Sequence, residues 1–547
     1  MKGIKPIYTA SLAVLTLAGC ASVKNIPVPE PMNNAVDIAT KSVALTDDQM
    51  KSWSHMDLAT DTVPGMSMVK AYEFLADKEG EQIIVGVIDS GIDVEHEDLA
   101  ANTWTNPKEV AGNGIDDDKN GYIDDLKGWN FIGGPDGNVY AEQLEITRIV
   151  KKGIARFGSM TESEVAEADL ADYKEFQKIK AEFDEKAAGG KQTLERMDFL
   201  LGSFQAAEIQ LGKSEFEVSD FEGFESDNMM LNQQMSTVAM LVGRGVKVSD
   251  VQEYRDGLLE NHHYDLDFDA RLIVGDNPDV MDGKVYGNNQ VGHIVDGEIH
   301  GTHVAGIIAA VRNNDLGMNG VASNVKILSV RAVPDGDERD KDIAMAFRYA
   351  VDNGAKVINT SFGKGYSPNK EWVYEALKYA GENDVLIVNA AGNDGANIDE
   401  VYTYPNDSKD LIMEFTDNVI TIGAMSANWD ENLPASFSNY GKLNVDVFAP
   451  GVAIYSTFPD ERYESISGTS MAAPSTAGVA ALIRSYYPKL TAKQVKQILM
   501  NSGTQVNMDV KLPGGEELVP FSDLSVSGRL VNAYNALRMA DQMVNGK

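Results

Sequence analysis

The sequence predicts an α/β protein with three αβα layers, in which helices cover both faces of a mostly parallel sheet, together with a large and mainly helical insertion. Two observations favour the three layers. Short runs rich in β-branched residues read as fully buried strands, at residues 83–89, 325–330, 357–358 and 385–388. Helical patterns at 342–353 and 372–383 alternate with these runs, and strands separated by helices form parallel sheets through right-handed crossovers.

The third observation is a change of character between residues 140 and 272. Charged helical patterns fill residues 164–186 and 191–211, and an acidic stretch with several phenylalanines covers residues 216–224. No sequence motif with a chemical role falls in this region. We therefore assign residues 67–139 and 273–547 to the main domain and residues 140–272 to a mainly helical insertion, whose role the sequence leaves open.

The N-terminus has the layout of a secretion signal. Lys2 and Lys5 precede a mostly apolar run that is too short to span a membrane, and residues 17–20 read LAGC. This ending resembles the lipobox of bacterial lipoproteins, which implies removal of residues 1–19 and acylation of Cys20. The alternative is a buried or incidental cysteine in a segment that is not cleaved.

The next segment, residues 20–66, is polar and broken by prolines, and it is predicted to be a tether or N-terminal extension. Because Cys20 is the only cysteine, no intramolecular disulfide can form. No later segment is apolar over the length that a membrane helix needs. These features predict a protein of the cell envelope that lies outside the cytoplasm and is bound to the membrane only through a lipid on Cys20; which membrane face carries it is open.

The charge balance excludes one class of partner. The chain has 47 Lys and Arg against 83 Asp and Glu, a net charge of −36, so binding to a phosphate backbone would have to overcome repulsion. Nucleic acid is therefore not expected as a partner. An acidic surface serves solubility, and acidic clusters also bind hard cations such as calcium.

Four polar residues lie where predicted strands end or helices begin. Asp89 ends the strand in IIVGVIDSGID, and His300 opens the small-residue helix HGTHVAGIIAA. Asn393 follows the strand in VLIVNAAGND, and Ser470, in SGTSMAA, starts an apolar helix whose unpaired N–H groups favour an anion. Taken alone, each residue has a simpler interpretation as a turn residue, a structural histidine or a helix cap.

A zinc site is a further alternative, because His303 follows His300 by three residues. The helix of a zinc protease needs histidines at i and i+4 with a glutamate between them. That pattern is absent, and zinc is not expected.

The joint order Asp, His, Asn, Ser along one parallel-sheet domain favours a common role, and Asp, His, Ser is the chain order of subtilisin. The strings HGTHVAG and GTSMAAP resemble motifs of the subtilisin family of serine peptidases. The resemblance covers residues 83–133 and 288–537. It implies a subtilisin-like fold for the main domain.

The resemblance also implies a role for each residue. Asp89 would orient the base, His300 would act as general base and acid, and Ser470 would be the nucleophile. Asn393 would bind the oxyanion together with the backbone N–H of Ser470. The residues implied to contact substrate are Ser361, Phe362 and Gly363, whose backbone would pair with an extended peptide, and Ala391 and Gly392.

Two features depart from the family pattern. Asp89 and His300 are 211 residues apart, far more than in compact members, which is the basis for an insertion at 140–272. The stretch before Asp89 is short for a folding pro-domain. Zymogen control and maturation by self-cleavage therefore stay open.

An acidic loop in residues 113–125, NGIDDDKNGYIDD, is much like the start of a calcium loop. Lys127 occupies the position where such a loop would supply a bidentate glutamate. We expect a structural calcium ion here, and the alternative is a solvated acidic turn. The predicted ligands are Asp116, Asp118, Asn120, Tyr122 and Asp124.

Together these features predict a secreted serine endopeptidase that cleaves protein or peptide substrates and needs no cofactor for catalysis. Two other functions stay open: a non-catalytic binding protein on the same scaffold, and an esterase or amidase with the same serine chemistry. The strand-pairing segment 361–363 favours a peptide. The sequence decides neither the cleavage preference nor the oligomeric state.

Overall fold

A nine-stranded sheet forms the centre of the protein. The computed structural model describes residues 27, 29–35, 38 and 44–546. The predicted signal peptide and the predicted lipidation site at Cys20 lie outside these residues.

The strands of the central sheet are ordered β12-β15-β9-β8-β7-β6-β1-β5-β2, and every neighbouring pair is parallel except β12–β15. The other strands form three short antiparallel pairs. The strands are β1 (Ile83–Asp89), β2 (Gly128–Asn130), β3 (Gly133–Gly134), β4 (Gly137–Asn138), β5 (Val325–Arg331), β6 (Ala355–Thr360), β7 (Leu386–Ala390), β8 (Val419–Met425), β9 (Val447–Pro450), β10 (Ile454–Phe458), β11 (Arg462–Ile466), β12 (Thr504–Gln505), β13 (Asp509–Lys511), β14 (Leu518–Pro520) and β15 (Arg529–Leu530).

Helices cover both faces of this sheet. The α-helices are α1 (Asp47–Ser52), α2 (Leu58–Asp61), α3 (Met68–Leu75), α4 (Glu145–Phe157), α5 (Leu170–Leu211), α6 (Met229–Gly243), α7 (Val248–Glu260), α8 (Arg271–Val274), α9 (His300–Ala309), α10 (Asp340–Asp352), α11 (Lys370–Glu382), α12 (Thr469–Tyr486), α13 (Ala492–Ser502) and α14 (Ala533–Asn545).

Successive residues of a strand enter two different cores, because side chains alternate across a sheet. Val357 of β6 packs in the cluster that contains α9 and α12, and the next residue, Ile358, packs in the cluster that contains α10 and α11. The predicted three-layer αβα architecture and the mostly parallel sheet are thus confirmed.

The insertion is mainly helical, as predicted, but its longest helix is continuous. The sequence predicts helical patterns at 164–186 and 191–211, and the pair Gly189 and Gly190 lies between them. The structure has one helix there, α5, of 42 residues, about 63 Å long at 1.5 Å per residue. Glycine only weakens a helix, and packing at both ends of α5 outweighs that penalty.

The described part of the predicted tether at residues 20–66 is folded against the main domain, with contacts that begin as early as Met32 and Asn34. Trp53, Val63 and Met66 are fully buried, and the Trp53 indole N–H donates to the Val452 carbonyl at 3.1 Å. These apolar residues are spaced without a helical or strand period. This part of the segment is therefore an extension that completes the core, and pattern analysis missed it.

Among residues 27–546 as far as they are described, no helix is both long and apolar enough to cross a membrane.

Helices α9 and α12 both start at the carboxyl edge of the sheet, α9 after the long insertion and α12 after the β10–β11 hairpin. Helix α9 approaches that hairpin closely, because the hydroxyls of Ser456 and Thr457 donate to the carbonyls of His303 and Thr302 at 2.8 Å. A Cβ atom on Gly306 would lie 2.2 Å from the Thr457 hydroxyl oxygen. Glycine at this position therefore allows the contact.

We predict that Gly306→Ala lowers the free energy of unfolding by about 1–3 kcal/mol, because the added methyl group overpacks the contact between α9 and the hairpin. Urea-induced unfolding measures the change. Gly202→Ala on α5 is the matched control, since nothing lies within 4 Å of a Cβ there and alanine favours a helix by up to about 1 kcal/mol. Equal effects of the two substitutions would contradict the close approach.

Candidate active site

Asp89 and His300 meet at the carboxyl edge of the sheet. Asp89 is the last residue of β1 and is 1% exposed, and His300 is the first residue of α9. His300 Nδ1 lies 2.7 Å from Asp89 Oδ1. An ionised carboxylate can only accept, so Nδ1 carries the proton and Nε2, which has no hydrogen-bond partner in the described chain, is left as a base.

Opposing effects act on the pKa of His300. Burial disfavours the imidazolium, whereas the charge of Asp89 and its hydrogen bond favour it. The charge and the hydrogen bond of Asp89 together outweigh burial, so the pKa of His300 is raised above its usual value.

His303 has a different environment. Its ring is fully buried, and its Nε2 lies 3.0 Å from the Ile454 carbonyl, so this nitrogen is the donor. Burial, with a smaller effect of His300, lowers the pKa of His303 to about 3. His303 is therefore a neutral structural histidine.

Ser470 lies in the first turn of α12. Its hydroxyl donates to the Ser361 carbonyl at 3.2 Å, and the Ser361 hydroxyl donates back to the Ser470 carbonyl at 2.9 Å. The backbone N–H of Ser470 is one of the first-turn groups that have no helical acceptor. The segment after β6 is thereby fixed to the start of α12.

Asn393 follows β7, and only the oxygen of its side-chain amide is hydrogen-bonded to the described chain. Its Oδ1 accepts hydrogen bonds from the backbone N–H and the hydroxyl of Thr469, at 2.9 and 3.0 Å. Its Nδ2 has no partner among the residues that the structure describes. The free N–H₂ group is therefore available as a donor next to Ser470.

The backbone before Asn393 requires glycine. Gly392 has φ of +103°, and a Cβ atom there would lie 2.4 Å from Asn439 Nδ2. Its N–H donates to the Thr469 hydroxyl at 3.1 Å. This turn and the first turn of α12 thus form one connected unit.

Two cavities adjoin these residues. The larger, about 520 Å³, is lined by Ser470, Asn393, the predicted substrate residues Phe362, Gly363, Ala391 and Gly392, and others. The smaller, about 310 Å³, is lined by Asp89, His300, Ser361 and the segment 333–336. Segment 361–363 therefore runs between the two cavities, and its predicted residues line one or the other.

The larger cavity has a second wall that sequence analysis missed. Tyr366, Tyr402 and Tyr404 of the main domain line it, as do four residues of the insertion: Leu144, Ile146, Glu182 and Lys186. The charged pattern of the insertion helix is also that of a solvent-exposed helix, so the sequence contained no signal for this contact.

The structure brings together only part of the predicted calcium ligands. One carboxylate oxygen each of Asp116, Asp118 and Glu109 lies within 4.8 Å of the others. Glu109 was missed because it precedes the loop that resembles a calcium site.

The other predicted ligands have different partners. The carboxylate of Asp124 accepts the N–H groups of Asn113 and Gly114, the Asn120 side chain binds Tyr122 N and Asp125, and the Tyr122 ring is buried in the core. Asp124 therefore closes the loop and does not join the carboxylate cluster.

Residues 80–515 match the sequence profile of the subtilase family. The chain is 38% identical over 283 residues to the cell wall-associated protease of Bacillus subtilis (strain 168), which covers 50% of this chain and 30% of that protein. It is 40% identical over 215 residues to subtilisin DY of Bacillus licheniformis, covering 39% and 72% of the two chains. It is 35% identical over 266 residues to thermitase of Thermoactinomyces vulgaris, covering 48% and 83%.

We predict that the pKa of His300 lies above the usual value for histidine and that Asp89→Asn lowers it, because the amide removes the charge that favours the imidazolium and leaves the effect of burial. NMR titration of ring-labelled histidine measures both values. His303, whose pKa is lowered to about 3, is the internal control and should stay neutral across the His300 titration in both proteins. An unchanged pKa of His300 in the variant would contradict the 2.7 Å contact.

Proposed function

This chain belongs to the subtilase family, and on that premise we propose that it is a serine endopeptidase that acts outside the cytoplasm. One observation carries the proposal. A histidine bound to a buried carboxylate, a serine at a helix start and an asparagine with a free amide lie on the walls of two adjoining cavities. These are the groups that acyl transfer through a serine requires.

The proposed mechanism uses His300 as the base for Ser470. The Nε2 atom of His300 takes the hydroxyl proton as Ser470 Oγ attacks the peptide carbonyl, and it returns a proton to the leaving amine. Asp89 keeps the second proton on Nδ1 and stabilises the imidazolium. Water then attacks the acyl-enzyme, with His300 again as base.

The negative oxygen of the tetrahedral intermediate needs donors that are already in place. The backbone N–H of Ser470 and the amide of Asn393 are the proposed pair. Because Thr469 binds Asn393 Oδ1 twice, the amide is oriented before substrate arrives. That orientation avoids reorganisation during the reaction.

The segment 361–363 supports a peptide substrate. Gly363 is exposed, and among the described residues its main-chain N–H and C=O have no hydrogen-bond partner. An extended peptide satisfies such a free edge by strand addition, whereas a small ester does not. An esterase or amidase with the same nucleophile is the second candidate, and a binding protein without activity is the third.

The proposal includes a structural calcium ion at Glu109, Asp116 and Asp118. Glu109 is 8% exposed, and its Oε2 is buried without a hydrogen-bond partner. Three carboxylates at this spacing are the oxygen ligands that calcium prefers. A bound ion would stiffen the loop and takes no part in the chemical steps.

The proposal also assigns the protein to the cell envelope, anchored by a lipid on Cys20, and the support is the signal-like N-terminus with its LAGC ending. Residues 67–139 and 273–547 form the proposed catalytic domain, and residues 140–272 its insertion.

We predict that a fluorophosphonate probe labels Ser470 and that the protein cleaves casein, while Ser470→Ala does neither. Asn393→Asp keeps the acceptor for Thr469 but loses the N–H donor. Its kcat should fall about 10²–10³-fold with KM little changed, the range measured for loss of one such donor in subtilisin. Absence of labelling in folded protein would favour the binding protein, and labelling with intact casein would favour the esterase.

We predict that calcium raises the midpoint of thermal unfolding, by an amount that corresponds to about 2.7 kcal/mol at a concentration 100-fold above Kd. Glu109→Gln should remove most of this increase, because it removes one charge from the proposed site. Glu382→Gln, an exposed glutamate on α11, is the control variant, and magnesium is the control ion. An equal increase in both variants would contradict the assignment of the ion to this loop.

A further inference from the structure

The helical insertion forms part of the wall of the larger cavity. Leu144 and Ile146, at the start of α4, and Glu182 and Lys186, on α5, line it together with Ser470 and Asn393. Tyr366 packs in the same apolar cluster as Ile146 and Phe176. The insertion and the substrate segment therefore share a core.

At the exposed end of this contact, a hydrogen bond joins helix α5 to the segment that follows Gly363. Glu182 Oε2 accepts from the Tyr366 hydroxyl at 2.6 Å, and Lys186 lies 2.9 Å from Glu182 Oε1. Burial and then the bond to Glu182 raise the pKa of Tyr366, so the phenol stays protonated and donates. Tyr366 is three residues from Gly363. The α5 helix thus holds the chain directly beyond the free edge.

An ion cluster joins the buried end. The side chain of Lys364, next to Gly363, is 2% exposed, and its Nζ lies 3.0 Å from Glu145 Oε2 of α4 and 2.8 Å from Asp340 Oδ1. Arg148 of α4 also binds Glu145, at 2.6 Å, and donates to the carbonyls of Asp337 and Glu338. A buried charge that loses its partner is strongly destabilising, so this end is firmly fixed.

The insertion also contacts segment 333–337, most of which lines the smaller cavity. Its first residues pair with segment 333–337 through a β-bridge between Ala141 and Asp335, and the Glu145 N–H donates to Asp337 at 2.7 Å. His263, near the end of the insertion, lies 3.3 Å from Asp335. The insertion therefore contacts both segments that border the cleft, 333–337 and 361–366.

We infer that the insertion is a positioning element of the substrate cleft, and that Glu182, through Tyr366, fixes segment 361–366 for pairing with extended polypeptides. The inference rests on the proposed endopeptidase function. Its consequence is a division of roles. The bond to Tyr366 controls how well a long substrate binds, whereas Asp89, His300, Ser470 and the oxyanion donors control the chemical steps.

The test compares Glu182→Ala with Asp184→Ala. Both residues lie on α5 and carry an ion pair with a lysine four residues away, but Asp184 pairs with Lys180 and does not line the cavity. For Glu182→Ala we expect KM for fluorescent casein to rise about three- to tenfold with kcat unchanged. Hydrolysis of p-nitrophenyl acetate, which reaches only Ser470 and the oxyanion donors, should not change.

Tyr366→Phe removes the donor instead of the acceptor. It should reproduce the effect of Glu182→Ala, and the double variant should be no worse than either one, because both act through the same hydrogen bond. Additive effects, a Glu182→Ala protein that behaves like Asp184→Ala, or an equal loss on casein and on the ester would each overturn the inference.

A second readout does not depend on activity. In a Ser470→Ala background, hydrogen exchange of the Lys364 and Tyr404 amides, which bond to each other's carbonyls, should be about three- to tenfold faster with Glu182→Ala and unchanged with Asp184→Ala. Failure of the proposed function would leave casein intact in the unmodified protein. Failure of the positioning role would leave these exchange rates unchanged.

Discussion

The hydrogen bond between Asp89 and His300 joins residues that are 211 positions apart. The chain between them must therefore bring His300 back to the end of β1. Of the strands between them, only β2 pairs in the central sheet; the rest of this chain, including α4 to α8, lies outside the sheet and returns to its carboxyl edge at α9. Both ends of the insertion lie near the cleft, because Ala141 forms a β-bridge with Asp335 and His263 lies 3.3 Å from the same residue. This placement brings the insertion into contact with the substrate segments.

Buried charges fix the returning chain. Glu298, two residues before His300, accepts from Arg331 at 2.8 Å and from the Gly91 N–H at 2.7 Å, and all three are buried. Farther back, Arg271 binds Asp342 of α10 at 2.7 Å. Because unpaired buried charges are costly, these contacts specify one path for the chain. These contacts of the chain before His300 keep the imidazole next to Asp89.

The sequence predicted what depends on local pattern and missed what depends on distant contacts. The buried strands β1 and β5 and the helix start at Ser470 follow from β-branched runs, turn residues and small residues, which act over a few positions. The burial of Trp53 and the wall formed by Glu182 depend on partners 399 and 184 residues away along the chain. The local sequence around Glu182 is that of a solvent-exposed helix and does not predict a hydrogen bond from Tyr366.

The insertion is not a removable module, because its contacts with the main domain are part of the core. Its cleft end shares one apolar cluster with Tyr366, and its Glu145 is a partner of the buried Lys364. Deletion of residues 140–272 would expose that cluster and leave Lys364 without one of its two carboxylates. The far end of α5 has a separate cluster around Phe204 and Val238. Loss of activity on deletion would therefore report a disturbed core, and only single substitutions on the cleft end separate positioning from folding.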